Sequence, residues 1–412
     1  MPHVYRRIAG ALLVAALGWA APVWGVTAGV VIDRSPAVAT QYVGCPAIAI
    51  LPDGAYLASH SWFGPGTTND TTEVFRSLDR GQTWEHAATV PNQWWSSVFV
   101  HRGDAYLLGV DREYGRIVIR RSRDGGHAWS TAVDGRSGLL TPKPGYHGAP
   151  MPVAHHAGRL WRAFEVAGGL AEDFPGAEER HPVSAGYNTG RWGDLYIKPR
   201  FDWSVLVASV PEDADLLDAE SWSFGRPMAH PEPRCQWIEG NVVAAPDGSL
   251  VSMLRTNPPG LLGLPERTST AAAIVTVGED GSLGHDPAKD IVSFPGGGAK
   301  FTIRFDPQTD RYWSLSNVQA DPIAYRSMVA LVSSADLREW RIESILLRSD
   351  DPTRQAWQYL DWQFDGADLV AVSRTADEAA HAPHDANLFT FHRIAGFRTR
   401  GQGRDSGAAH EQ

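Results

Sequence analysis

Cysteine is nearly absent from this chain of 412 residues: Cys45 and Cys235 are the only two. So few thiols exclude a disulfide-stapled scaffold and a cysteine-rich zinc module. The pair would form a bridge only if the fold brought them together, and two buried free thiols is the plainer reading. Positive charge is also scarce. Charged residues make up 20% and the formal net charge is −10, which leaves no basic surface for a nucleic-acid partner. Long apolar runs are missing beyond the first 25 residues. There, Arg6-Arg7 precede an apolar stretch from Ile8 to Trp24, broken by Pro22 and followed by Gly25. That stretch reads as an export signal, residues 1–25, rather than a membrane span. The expectation is a periplasmic or secreted protein with no stable membrane span after cleavage.

What the chain does have is turn signal and tryptophan. Ser77-Leu78-Asp79-Arg80-Gly81-Gln82-Thr83-Trp84 and Ser122-Arg123-Asp124-Gly125-Gly126-His127-Ala128-Trp129 share S-x-D-x-G-x-[TA]-W, with the serines 45 residues apart. Ser and Asp side chains suit a tight turn, Gly supplies positive φ, and Trp covers the hairpin base. Ser333-Ser334-Ala335-Asp336-Leu337-Arg338-Glu339-Trp340 reads as a decayed copy. A repeat of this period in strand-rich sequence indicates a β-propeller.

Six hairpins support that reading, each a short apolar strand, a Gly/Asp turn and a second apolar strand. Their turns are Asp53-Gly54, Gly103-Asp104, Ala157-Gly158, Asp247-Gly248, Asp306 through Asp310, and Asp365-Gly366. The wide gap between the third and fourth is filled by a Gly- and Pro-rich segment, Gly168 to Arg200, read as a binding-face loop. Ala28 to Ile32 is expected to pair with Asn387 to Arg393 and close the ring. The expected fold is all-β, a single six-bladed propeller over residues 26–398, with a disordered tail at 399–412.

In such a fold, first-strand starts, second-strand ends and the loops after them converge on one funnel. First-strand starts offer Gly44, Trp94, Trp95, His147, Trp237, Glu239, Lys300, Trp357 and Tyr359. Second-strand ends offer His60, Asp111, Glu165, Arg255 and Arg374, and loops offer Asp70 and Arg326. Carboxylates, guanidinium groups and aromatics on separate blades point to an anionic or polyhydroxyl ligand, such as an oligosaccharide or polysaccharide. Trp94, Trp95, Trp237 and Trp357 are candidate sugar-stacking faces. His381 and His384 could be read as metal ligands, but a solvated loop explains them better. No cofactor or metal is expected.

The boxes, the six repeats and several site positions resemble the sialidase (neuraminidase) superfamily. The resemblance implies an exported glycoside hydrolase for a terminal acidic sugar, of sialic or uronic acid type. Glu239 and Arg255 show the spacing of the family's blade-four Glu and Arg. Arg326 follows Ser316-Asn317 as a second family Arg does. Val43-Gly44-Cys45-Pro46 puts Gly44 where the family has a carboxylate-binding Arg. Counting back from Asp365 puts Trp357 at the family's Tyr nucleophile, with Tyr359 two residues on. Asp70 and His60 are the candidates for the acid. On this reading, Glu239 pairs with Asp70 or Glu165, and Arg255, Arg326, Arg374 and Lys300 bind the acidic group. Cleavage of an ordinary sialoside is expected to be slight. Two other readings fit the same residues: a polysaccharide lyase with His147 or Tyr359 as base beside Arg374, and a non-catalytic glycan-binding propeller.

Overall fold

Six antiparallel sheets follow one another along the chain and close into a six-bladed β-propeller. The computed structural model describes residues 29–166, 204–229, 236–257, 270–318 and 326–400. The expected signal segment, the Gly168 to Arg200 loop and Cys235 lie outside the described residues. Of the expected tail, Thr399 and Arg400 are held on the body by the short helical turn Phe397–Thr399, and residues 401–412 lie outside.

Blade 1 consists of Tyr42–Ile50, Tyr56–Phe63, Thr71–Ser77 and Glu85–Pro91. Blade 2 has Trp94–His101, Asp104–Val110 and Ile117–Ser122, with Leu139 bridging to Val118 along the outer edge. Blade 3 is built on Arg159–Val166 and Ser204–Pro211. Its innermost strand is split into Tyr146–His147 and Ala154–His156. Blade 4 uses Gln236–Ala244, Leu250–Asn257 and Ala271–Val277. Blade 5 runs Thr302–Asp306, Arg311–Asn317, Met328–Ser334 and Trp340–Arg348. Blade 6 runs Ala356–Asp365, Asp368–Ala376 and Leu388–Ile394, and takes its outermost strand, Val30–Arg34, from the other end of the chain.

Alternation along these strands sends apolar side chains to both faces of each blade, so the core lies in the seams. Ala49, Leu57, Val98 and Leu107 fill the seam of blades 1 and 2, for example, and Val43, Ile48, Val370 and Phe389 that of blades 6 and 1.

The octapeptides form the outer turns. Ser77 Oγ accepts the Gly81 N–H at 2.8 Å, Asp79 Oδ1 accepts the Thr83 N–H at 2.9 Å, and Trp84 Nε1 donates to the Gly81 carbonyl at 3.2 Å. Ser122, Asp124, Gly126 and Trp129 repeat the pattern. In blade 5 the turn is one residue shorter. Leu337, at φ 65°, takes the glycine's place, and its carbonyl accepts Trp340 Nε1 at 2.9 Å. Each tryptophan seals the seam to the preceding blade: Trp84 lies 5.5 Å from Phe391, and Trp340 lies 4.7 Å from Phe294.

Candidate active site

The geometry of the site starts from a repeated irregularity. In blades 1, 2, 4 and 6 the innermost strand loses register with its neighbour near its start, between Gly44 and Ala47, Trp94 and Ser97, Ile238 and Asn241, and Gln358 and Asp361. The residue at each bulge has positive φ: Cys45 45°, Trp95 46°, Glu239 59° and Tyr359 58°. None is glycine, so each is held in the left-handed region by its surroundings. The bulge turns these four side chains to the axis. Cys45 of blade 1 accordingly lies within electrostatic range of Glu165, Glu239, Lys300 and Arg374, from blades 3, 4, 5 and 6. It is buried and carries a free thiol, whose ionisation burial suppresses strongly.

Tyr359 is the hub. Its hydroxyl accepts Arg255 Nη1 at 3.3 Å, and the same Nη1 donates to Glu239 Oε2 at 3.0 Å, so hydroxyl and carboxylate meet at one guanidinium nitrogen. The Arg374 guanidinium sits 4.5 Å from the centre of the Tyr359 ring and that of Arg326 5.3 Å from it. Both arginines donate to Gln358 Oε1, Arg374 at 3.2 Å. Burial disfavours the Glu239 charge, but the adjacent Arg255, the Tyr359 hydroxyl and Arg326 outweigh it and hold the carboxyl below its ordinary value. Burial, joined by the Glu239 charge, pushes Tyr359 up to about 12 against the pull of the three arginines.

Glu165 and His147 brace this centre from blade 3. Glu165 Oε1 accepts the Glu239 backbone N–H at 2.6 Å, and its Oε2 lies 3.2 Å from His147 Nδ1. Trp95 stacks on Trp94 at 3.9 Å and meets the His147 ring edge-on at 4.7 Å. Lys300 lies beneath, fully buried, with Nζ donating to Thr302 Oγ1 at 2.6 Å and to the Leu360 carbonyl at 2.8 Å. Burial lowers its pKa to about 8, opposed by Asp361 and Glu239.

Five expected positions fall elsewhere. Trp357 packs in the seam of blades 5 and 6 with Leu315, Val329 and Leu347 rather than lining the funnel. The bulge displaces the count along this strand, and Tyr359 takes the axial place. Trp237 is buried with Val205, Leu254 and Val275, its ring against His285 at 4.6 Å, and offers no stacking face. His60 is fully buried between Trp62, Phe75 and Phe389, with Nε2 2.9 Å from Asp33 Oδ2. It therefore belongs to the ring closure. Asp70 is turned onto its own loop, accepting Thr68 Oγ1 at 2.5 Å and Thr71 Oγ1 at 2.9 Å. Asp111 likewise binds Arg116, at 2.7 Å. Asp385 bridges His381 and His384 at 2.8 Å each, and no group of metal-ligating side chains occurs among the described residues.

Gly44 has no room for a side chain, since a Cβ there would stand 2.8 Å from the Phe63 ring. Phe63 instead carries the Arg374 guanidinium on its face at 5.0 Å. Sequence reasoning overlooked Glu113, in the loop between the second and third strands of blade 2. Its Oε2 accepts Asn69 Nδ2 at 3.0 Å, and burial raises its pKa to about 7. The available signal is a carboxylate in the short loop after a second strand, a place where the sequence offers binding-face residues.

No family model matches the chain, and no curated protein matches it by sequence. Solved structures do share its fold. An α-L-arabinanase from Penicillium chrysogenum, complexed with arabinobiose, superposes with TM-score 0.52 at 15% identity over 90% of this chain and 98% of that one. An α-L-arabinofuranosidase from Fusarium graminearum does so with TM-score 0.56 at 12% identity over the same shares. A Trypanosoma rangeli sialidase in complex with sialic acid gives TM-score 0.54 at 14% identity over 87% of this chain and 55% of that one. The architecture is thus a six-bladed propeller of the kind used by these glycoside hydrolases, and at such identities the likeness is one of fold.

Proposed function

We propose that the chain is an exported, periplasmic or secreted glycoside hydrolase that removes a terminal acidic sugar, of sialic or uronic acid type, from an oligosaccharide or polysaccharide. The observation that carries this reading is the Tyr359 hydroxyl, which shares Arg255 Nη1 with the Glu239 carboxylate beneath the guanidinium groups of Arg326 and Arg374. A tyrosine with its pKa near 12 is protonated at neutral pH and a poor nucleophile. An adjacent carboxylate that takes its proton as it attacks makes it a competent one. Glu239, held ionised, is that base. Placing tyrosine beside a carboxylate avoids the repulsion that a carboxylate nucleophile would meet at an anionic sugar.

The guanidinium groups supply the other half. Their charge and forked donors suit a carboxylate. Arg255 and Arg326 come from blades 4 and 5, and Arg374, laid over Phe63, fills the quarter that Gly44 leaves without a cation. In the proposed reaction Tyr359 Oη attacks the anomeric carbon, its proton passes to Glu239, and the glycosidic C–O bond breaks. Water then displaces Tyr359, which recovers its proton from Glu239. Glu165 positions Glu239 through its backbone N–H.

Turnover of 4-methylumbelliferyl sialoside and glucuronide by wild type, Tyr359→Phe and Glu239→Gln tests the proposal. Wild type is expected to cleave one of the two. Each substitution is expected to cost roughly 10³-fold or more in kcat. Tyr359→Phe removes a single oxygen and leaves the thermal midpoint near that of wild type. Binding of the sugars without turnover in wild type, or a fully active Tyr359→Phe, defeats the reading.

A further inference from the structure

We infer that Glu113 is the acid/base catalyst of this site, the group that protonates the leaving oxygen and then deprotonates the attacking water. The inference rests on the glycosidase reading above. That reaction needs a proton donor at the departing oxygen, and among the described residues the other carboxyl groups around the site are committed elsewhere. Glu239 is paired with Arg255 and held charged. Glu165 spends one oxygen on the Glu239 N–H and the other on His147. Asp70 is tied to Thr68 and Thr71, Asp111 to Arg116, and Asp385 to two histidines.

Glu113 has the opposite setting. Its hydrogen-bond partner is a neutral amide, Asn69 Nδ2 at 3.0 Å, and its own N–H donates to the Asn69 carbonyl at 3.1 Å. Asn69 is buried, stands at φ 53° and is fixed by Thr67 Oγ1 at 2.6 Å, so the amide is a rigid mount. Beside Glu113, Tyr114 stacks on His147 at 5.7 Å; His147 meets Glu165, and Glu165 meets Glu239. The carboxyl therefore stands on the same face as Tyr359, reached through contacts that run from blade 1 to blade 4.

Its chemistry suits the task. Burial raises its pKa to about 7, with Asn69 and His147 pulling the other way. A carboxyl with that value can give a proton at neutral pH and take one back. Among the described residues, the charged or titratable group acting on it from the start of blade 3 is His147; its own loop also carries Arg112 and the Asp111–Arg116 pair, and blade 1 presents Asn69. In the first step the Glu113 proton moves to the glycosidic oxygen as the C–O bond breaks and the Tyr359–sugar bond forms. In the second, Glu113 carboxylate takes a proton from water as water displaces Tyr359.

Glu113→Gln keeps the acceptor for Asn69 and removes the proton. We compare kcat/KM for the methyl and 2,4-dinitrophenyl glycosides of N-acetylneuraminic acid and glucuronic acid, with Tyr359→Phe in parallel. Glu113→Gln is expected to lose roughly 10²–10⁴-fold on the methyl glycoside and less than about tenfold on the dinitrophenyl one, whose leaving group needs no proton. Azide, which attacks without a base, should restore kcat in Glu113→Gln alone. In 13C-glutamate spectra of the intact protein, Glu113→Gln should remove one carboxyl signal that titrates near pH 7. Equal loss on both glycosides, no loss, or a Glu113 signal in the ordinary glutamate range overturns the assignment while Tyr359→Phe still upholds the reaction. A wild type inert on all four substrates, or an active Tyr359→Phe, brings down the reaction and the assignment together.

Discussion

At the scale of single residues, the site is built from groups pushed away from their solution behaviour by their neighbours. Tyr359 and Glu239 are moved in opposite senses, so at neutral pH the phenol keeps its proton and the carboxyl stays ionised. Lys300 gives the sharpest test that such burial is real. Its ammonium is inside the ring, bonded to two neutral oxygens, and its pKa falls from 10.5 to about 8. Between those two values the unfolded chain binds a proton that the folded chain has released, so stability rises with pH across that window. Below pH 8 both states are protonated, and the burial cost of the charge is fully present. Replacing Lys300 by Met removes the group that titrates. Chemical denaturation at pH 7.5 and at pH 10.5 should show wild type gaining up to about 3 kcal/mol relative to Lys300→Met. A difference that stays constant with pH would mean that Lys300 keeps its solution pKa in the fold.

At the scale of strands and turns, the sequence disclosed the hairpins but not their faults. Turns rich in Asp and Gly between apolar runs mark the six inner hairpins, three of them as Asp-Gly, because their residue types are fixed by backbone geometry. A bulge has no such signature here: Cys45, Trp95, Glu239 and Tyr359 share nothing but positive φ. Counting along a regular strand therefore puts Trp357 at the axis, where the structure has Tyr359. Trp237 and His60 were misplaced for a related reason. Position at a strand end fixes which end of a blade a residue occupies, but whether it turns to the axis or into a seam depends on the local pleat. Glu239, Arg255, Arg326 and Arg374 can be grouped from the sequence because they recur at like places on separate blades, and the structure brings them together around Tyr359.

The outer turns can be tested with two glycines of similar backbone. Gly54 and Gly81 lie at φ 85° and 90°. A Cβ at Gly54 meets nothing within 4 Å, whereas one at Gly81 would stand 2.3 Å from the Phe391 ring. Gly54→Ala should cost about 1 kcal/mol, the strain of the left-handed conformation. Gly81→Ala should cost about 2 kcal/mol more, because Phe391 must move within a packed seam. Equal midpoint shifts for the two variants would show that the turn does not bear on the seam.

At the scale of the whole molecule, the ring holds because its last blade borrows a strand from the first residues of the fold. The repeat count and the apolar run near Ala28 made closure legible. The structure sets that strand at Val30–Arg34, with Val30 opposite Phe391 and Arg34 opposite Leu388. Two further ties were invisible in sequence because they join residues far apart in the chain. Asp33 reaches the buried His60 of blade 1, and Asp365 accepts Tyr56 Oη, Arg80 and Arg393 at 2.6 to 2.7 Å on the face opposite the site. A chain starting at residue 35 would lack the strand. It would bare the edge of Leu388–Ile394, whose inner residues are mostly buried, and leave His60 without its carboxylate. An unpaired apolar edge invites pairing with another chain. Compared with residues 26–412, residues 35–412 should melt lower and associate more with rising concentration in sedimentation velocity. Asp33→Asn in the longer chain separates the two contributions: it keeps the strand and weakens the tie to His60, so it should lower the midpoint less and leave association unchanged. If the shorter chain sediments and melts as the longer one does, the ring is closed by the seam of blades 6 and 1 alone, and the borrowed strand is dispensable.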